Sequence, residues 1–228
     1  MLFLIEVIII KLVDELFLKY ELIDYNLLIN YGFIIKDGYY YFYKNINNNE
    51  FRLEIIYDKF INAKLIDLSF NDEYDQFNVD NKGEFLDKLK KEVTNILIDI
   101  RNKCFKRNYF SDKKANLITD YIIKKYDSIP EFLWEKYPDF GVFRHKNNNK
   151  WFSLIMEIKK DKLIKKASGN VFVMNLKLDN EIENYINNNG VYKSYHMNKK
   201  YWVSIILDDI DDNLLYKLID ISYNITLK

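Results

Sequence analysis

The alternation of apolar and polar residues divides the chain into short helices and strands. Leu12, Leu16 and Leu18 are set among Lys11, Asp14, Glu15 and Lys19, which predicts an amphipathic helix docked on the body. The preceding run, MLFLIEVIII, is about ten residues long and interrupted by Glu6, too short to span a bilayer. It has no basic leader and no small-residue cleavage site, so it does not read as a signal peptide. DYNLLINYGF reads as a short helix capped by Asp24, with Gly32 just past its end. GYYYFYKN and EFRLEIIYD flank the polar link INNN and predict a hairpin, and AKLIDLSF predicts a third strand. After the loop NDEYDQFNVDNKG, the residues Phe85, Leu86, Leu89, Val93, Ile96, Leu97 and Ile100 recur at helical spacing, predicting a helix from Glu84 to Asn102.

The remainder reads α, β, β, β, α, β, α. Ser111 is placed to cap DKKANLITDYIIKKYD, whose apolar face is Leu117, Ile118, Tyr121 and Ile122. FGVFRH and KWFSLIMEI flank KNNN as a second hairpin. KKDKLIKKASGN reads as a loop, VFVMNLKL as a strand, and NEIENYI as a helix capped by Asp179 and stopped at Gly190. YWVSIIL is the last strand. DDIDDNLLYKLIDISYNIT closes the chain as a helix with acids at its positive end. The expected fold class is therefore α+β, in two modules that each pack an antiparallel sheet against helices. The expected domains are residues 1–104 and 112–228, with the boundary between 103 and 112.

The length, 228 residues, suits one large or two small domains. Ile, Lys, Asn, Tyr and Phe supply 123 of those residues, and all five have A/T-rich codons, so aromatic richness alone points to no function. Lys plus Arg and Asp plus Glu both total 34, which excludes a uniformly basic nucleic-acid coat. Residues 1–104 nevertheless carry 13 basic and 18 acidic side chains, and residues 105–228 carry 21 and 16. That split fits either two modules or one basic working face.

Candidate chemistry is sparse. The single cysteine, Cys104, forbids an internal disulfide and any multi-cysteine metal site. It reads as a small buried residue, the alternative being a nucleophile that needs an activating base. An intracellular, cytoplasmic protein follows most simply. The six glycines form no phosphate-binding loop, and His145 and His196 have no partner at metal-ligand spacing. No GxSxG elbow frames a serine nucleophile. Asp208, Asp209, Asp211 and Asp212 read as helix-start acids rather than a cation site. No catalytic residue, metal, cofactor, small-molecule ligand or membrane attachment is indicated.

The basic loops are more suggestive. Arg144, Lys146 and Lys150 border KNNN, and Lys159, Lys160, Lys162, Lys165 and Lys166 fill the next loop. Lys193, Lys199 and Lys200 surround VYKSYHMNKKYW. Such loops beside aromatics suit phosphate contact with base stacking, although composition alone makes solvated loops the simpler account. Within YHMNKKYW, Asn198 is placed to close a turn through an Asx bond, Trp202 to open a strand half-buried, and His196 to cap or to pair with a carboxylate.

These last residues carry a family resemblance. YHMNKKYW at 195–202, SIILDD at 204–209 and LIDISYNIT at 218–226, with its Ser222–Tyr223 pair, resemble the C-terminal signature of the MmcQ/YjbR family. FGVFRHKNNNKWFSLIMEI resembles that family's first hairpin, and VMNLKLD its Asn-Leu-Lys-Leu strand. The order agrees over residues 112–228. NYGFIIKDGYYYFYK and DIRNKCF resemble the N-terminal extension of longer members from A/T-rich bacteria.

The resemblance implies a CyaY-like α+β fold for the C-terminal module and a non-enzymatic DNA-binding role. The residues expected to contact nucleic acid are Lys159, Lys160, Lys162, Lys165, Lys166, Lys199 and Lys200, bordered by Arg144 and His196. The alternative is a protein–protein interaction module, an adaptor or inhibitor carried by a mobile element. Iron handling of the frataxin kind would want an acidic first helix, whereas DKKANLITDYIIKKYD has four lysines and three aspartates.

Overall fold

The computed structural model describes residues 8–78, 83–186 and 190–228, so the apolar start at 1–7 lies outside the described residues. The chain divides into two compact units, Met1–Asn108 and Tyr109–Lys228. Both pack antiparallel strands against helices, which is the α+β class expected.

The N-terminal unit begins with α1 (Ile8–Phe17), β1 (Tyr20–Leu22) and α2 (Tyr25–Tyr31). Strands β2 (Ile34–Lys36), β3 (Tyr39–Ile46), β4 (Phe51–Tyr57), β5 (Ile61–Asp67) and β6 (Asp72–Glu73) then form a five-stranded meander in chain order. A 3-10 turn at Asp75–Asn78 precedes α3 (Glu84–Cys104), and β7 (Phe105–Arg107) returns to pair with β1. Asp24 caps α2 by accepting from the Asn26 amide at 2.9 Å, and Gly32 ends it in the left-handed region, as its position in the sequence requires. The β3–β4 turn uses three asparagines with positive φ, Asn47, Asn48 and Asn49, a conformation asparagine tolerates better than most residues.

Period-two burial is cleanest on β4, where Phe51, Leu53, Ile55 and Tyr57 are buried between partly exposed neighbours. In the same core α3 lays Leu89, Val93, Leu97, Ile100 and Cys104. Two apolar expectations are corrected. Leu18 lies past the end of α1 and is 81% exposed, so Ile9, Val13 and Phe17 form the docked stripe. Phe85 sits off the α3 core stripe and is 45% exposed.

The C-terminal unit runs α4 (Lys113–Tyr126), β8 (Glu131–Phe132), β9 (Gly141–Arg144), β10 (Trp151–Lys159) and β11 (Asn170–Lys177). A 3-10 segment at Asp179–Asn184 leads to β12 (Val191–Lys193), β13 (Trp202–Ile206), a 3-10 turn at Leu207–Asp209 and α5 (Asp212–Leu227). The sheet order is β12-β13-β11-β10-β9-β8, all antiparallel. Asp112, not Ser111, caps α4, accepting from the Ala115 amide at 2.7 Å. Asp179 caps nothing: it is left-handed, pairs with Lys177 at 3.3 Å, and starts a 3-10 segment instead of an α-helix. Asp211 caps α5 through the Leu214 amide and Asp212 pairs with Lys114, which is how two of the clustered acids are used.

One face of this sheet carries α4 and α5. Phe143, Phe152, Ile155, Met174, Leu176, Val203 and Ile205 meet Ile118, Ile122, Leu215, Leu218 and Ile219 there. Asp220 joins the two helices, accepting from Tyr121 at 2.8 Å, from Tyr126, and from Lys125 at 2.6 Å. Burial alone would raise its carboxyl, but these three donors outweigh that and hold it below the ordinary range. Ser222 fastens α5 to the sheet. Its hydroxyl accepts from the Lys177 amide at 2.8 Å and donates to the Phe152 carbonyl at 2.5 Å. The other face buries Val142, Leu154, Met156, Ile158, Val173 and Ile206, covered by side chains from loops and strand ends, including Trp134, Phe140, Trp151, Leu163, Ile164 and Tyr195.

His145 is 2% exposed and packs against Tyr223 and Phe152. Thr226 Oγ1 donates to the Ser222 carbonyl at 2.7 Å, so His145 Nε2 donates to Thr226 at 2.8 Å. Burial pushes the imidazole below its ordinary 6.5, only partly offset by the Tyr223 backbone.

All three tryptophans, Trp134, Trp151 and Trp202, lie in the C-terminal unit, so their fluorescence reports its unfolding. Ser222→Ala leaves a buried amide and carbonyl without their side-chain partner, and should cost about 1–3 kcal/mol in urea unfolding followed by that signal. His145 binds protons less readily folded than unfolded, so the unit's stability should be full above pH 6.5 and fall as pH drops below it. His145→Gln should flatten that part of the pH profile; an unchanged profile would assign the loss to other groups.

Candidate nucleic-acid interface

The lysine-rich loop connects β10 to β11. Its closing pair is Lys159 opposite Asn170. Lys160 opens a 3-10 turn whose carbonyl accepts from Leu163 and Ile164, and its own amide bonds to Gly169 at 2.9 Å. Lys166 and Gly169 take left-handed backbone conformations that turn the chain back into β11. Leu163 and Ile164 are partly buried against the outer-face cluster that includes Met156, Ile158 and Val173. The two apolar residues therefore tie the loop to the sheet while Lys159, Lys162, Lys165 and Lys166 stay exposed and Lys160 half-exposed. Among the described residues none of the five lysines forms an ion pair. With Asp161 the only acid between Lys159 and Asn170, the loop carries a net charge of +4.

The other expected residues lie elsewhere. His196, Lys199 and Lys200 occupy the β12–β13 turn, at the end of the sheet where Trp202 pairs with Lys177. That end is one β11 length from the lysine loop, roughly 23 Å at the usual rise per residue. Asn198 closes this turn as expected, accepting from the Lys200 amide at 3.0 Å, while its carbonyl takes the amides of Tyr201 and Trp202. Trp202 is buried, 9% exposed, rather than half-buried, because β13 has covered neighbours on both sides. His196 is exposed, left-handed and tilted against Tyr195, and it neither caps nor meets a carboxylate. Lys200 lies over the Tyr201 ring at 5.3 Å. Arg144 pairs with Glu131 at 3.1 Å and is only 26% exposed, so its charge is largely offset. Lys146 pairs with Asp127 and Lys150 with the carbonyl of Lys228.

Cys104 is fully buried, its thiol within 3.5 Å of the Leu27 carbonyl, and burial pushes it above the ordinary range. That is the opposite of what a reactive thiolate needs. Among the described residues no three His, Cys, Asp or Glu side chains gather into a metal-binding group, and no helix is long and apolar enough to cross a membrane. Reading by charge found the lysines but missed Leu163 and Ile164, the anchors that position them. The available signal was two adjacent apolar residues inside an otherwise polar loop.

Several of the residues that carry the family resemblance have structural partners. Tyr195, Asn175 and Ser204 form a connected set on the outer face: Ser204 donates to Asn175 at 2.6 Å, Asn175 donates to the Tyr195 carbonyl at 2.9 Å, and the Tyr195 amide donates to Ser204 at 2.8 Å. A profile of the YjbR family matches residues 124–225, within the C-terminal unit. YyaQ, an uncharacterised protein of Bacillus subtilis, is 36% identical over 111 residues, covering 48% of this chain and 94% of YyaQ. A crystal structure of a Pseudomonas syringae protein is 36% identical, with a TM-score of 0.47, covering 48% of this chain and 96% of that one. A solution structure from Pseudomonas syringae is 35% identical, with a TM-score of 0.46, covering 49% and 91%. The profile match, and a relative at 36% identity covered over 94% of its length, establish that the chain belongs to the YjbR family.

Proposed function

We propose that this protein is a non-enzymatic nucleic-acid-binding protein of the cytoplasm that grips the phosphates of duplex DNA through the β10–β11 loop. The observation that supports this most is the loop itself: five unpaired lysines on a segment tied down by Leu163 and Ile164. A tethered loop loses less conformational freedom on binding than a floppy one, so its contacts cost less entropy to make. Lys199 and Lys200 form a smaller second contact one strand length away. Such binding reads no bases and depends strongly on salt.

A second reading, a protein-interaction module, draws on the edge strand β2. Ile34 and Ile35 there are 56% and 58% exposed, and an open edge can accept a strand from another chain. Retention of a partner from nuclease-treated lysate, lost on Ile35→Lys, would favour it.

Titration of a mixed-sequence duplex against salt tests the first reading. If all five lysines reach phosphates, they should contribute about 4.5 to the log–log slope with which affinity falls, near 0.9 per contact. Replacing Lys160, Lys162, Lys165 and Lys166 with Gln should remove about 3 to 4 from that slope, equally for all sequences. Lys199→Gln with Lys200→Gln should remove less than 2. Absence of binding near ~50 mM salt would sink the proposal.

A further inference from the structure

The N-terminal unit contains a partly open cleft that the lysine loop does not involve. It lies between the end of α1, β1, and the β4–β5 turn, and has a volume of about 430 Å³. That is within the range of small-molecule sites, about 300–1,000 Å³. Its walls include Val13, Phe17, Tyr57, Ile61 and Phe105. Three of the rings form a herringbone around Phe105, with Phe17 at 5.0 Å and Tyr57 at 5.8 Å, both edge-to-face. This arrangement favours another planar ring more than an alkyl chain.

Tyr57 is 8% exposed, and its hydroxyl, which makes no hydrogen bond among the described residues, keeps contact with solvent. Burial, with Tyr25, Asp58 and Tyr40 nearby, raises its pKa, so the hydroxyl stays protonated. At the mouth, Leu18 and Phe60 are 81% and 75% exposed, although large apolar side chains gain nothing from water. Phe60 is not there by slack: Asp58 accepts from the amides of both Lys59 and Phe60, at 2.7 and 3.2 Å, which fixes the turn that presents it.

The charges at the rim select the head group. Of the lining residues Asp14, Glu21 and Lys59, Glu21 is paired with Lys106 at 3.1 Å, and Lys59 interacts with the neighbouring Asp58. The Asp14 carboxylate has neither an ion pair nor a hydrogen bond among the described residues. The rim therefore presents the unpaired Asp14 carboxylate beside aromatic rings, which suits a cation.

We propose that this cleft binds a small aromatic amine, its ring among Phe17, Tyr57 and Phe105 and its ammonium at Asp14. The ring gains from burial and edge-to-face contact, and the mouth residues Leu18 and Phe60 lose water when it enters.

Ligand-observed NMR titrations of the full chain with tryptamine, indole and indole-3-acetate test this with one ring and three charges. Tryptamine should bind tightest and indole-3-acetate weakest. The gap between tryptamine and indole should be about two- to fivefold, since the Asp14 contact is solvent-exposed, and should narrow as salt rises. Asp14→Asn should bring tryptamine to the level of indole without changing the thermal midpoint. Phe60→Ser, at an exposed position, should weaken all three ligands. The proposal is overturned if tryptamine shows no saturable binding in the millimolar range, if indole-3-acetate binds as tightly as tryptamine, or if Phe60→Ser leaves all three unchanged.

Discussion

The β10–β11 hairpin is buried on both of its faces, and this constrains the rest of the C-terminal unit. Seven paired positions, from Ser153–Leu176 to Lys159–Asn170, hold its backbone together. On one face, Ser222 bridges the backbones of both strands and so fixes where α5 lies. On the other, no α-helix among the described residues packs, yet Val142, Met156 and Val173 are fully buried and Ile206 nearly so. Each such side chain contributes about 1.5–3 kcal/mol only if something keeps water off it. Loops supply that cover. The segment from Trp134 to Phe140 folds down at one place, Tyr195 at another, and Leu163 with Ile164 at a third. A loop that must cover a core cannot also wander, so the backbone that carries its polar side chains is held in place.

The N-terminal unit solves its packing differently. Its helices share a single core with one face of the meander, in which α3 contributes its full-length stripe. The opposite face carries Tyr41 and Tyr43, whose rings run parallel at 6.3 Å, with Arg52 close to Tyr43 and paired to Glu54 at 2.7 Å. Ring stacking and a charged pair let an aromatic-rich face remain wet. In this unit Leu18 and Phe60 are left exposed near the end of α1 and the β4–β5 turn.

Elements with strong periodicity were legible in the sequence. The α3 stripe, the alternation of β4 and β5, and both asparagine turns follow from local rules, because one residue type in one register decides each. The short strands were not legible. β1, β7, β8 and β12 have two or three residues apiece, too few to show a period, and exist only because a distant partner offers hydrogen bonds. Asp179 looked like a cap because its residue type was right, but the backbone went left-handed and its carboxylate turned to Lys177. Among the basic residues, charge was visible and pairing was not. Arg144 resembles the loop lysines in sequence, yet Glu131, brought alongside by the β8–β9 pairing, offsets it. The separation of Lys199 and Lys200 from the β10–β11 loop depends on strand order, which no local pattern encodes. The charge asymmetry also softens at the structural boundary: residues 1–108 carry 15 basic and 18 acidic side chains, and residues 109–228 carry 19 and 16.

That boundary moves because of β7. Tyr20 pairs with Arg107 and Leu22 with Phe105, and Asn108 reaches back to Glu21 across 87 positions at 3.0 Å. The chain thus leaves the N-terminal unit beside the place where it first entered the fold after α1. Because this seam belongs to the N-terminal unit, the unit ends at Asn108 and not at the end of α3. Severing the polypeptide after Cys104 would unzip β1 and bare Phe105's place in the core, whereas a cut after Asn108 keeps that seam whole.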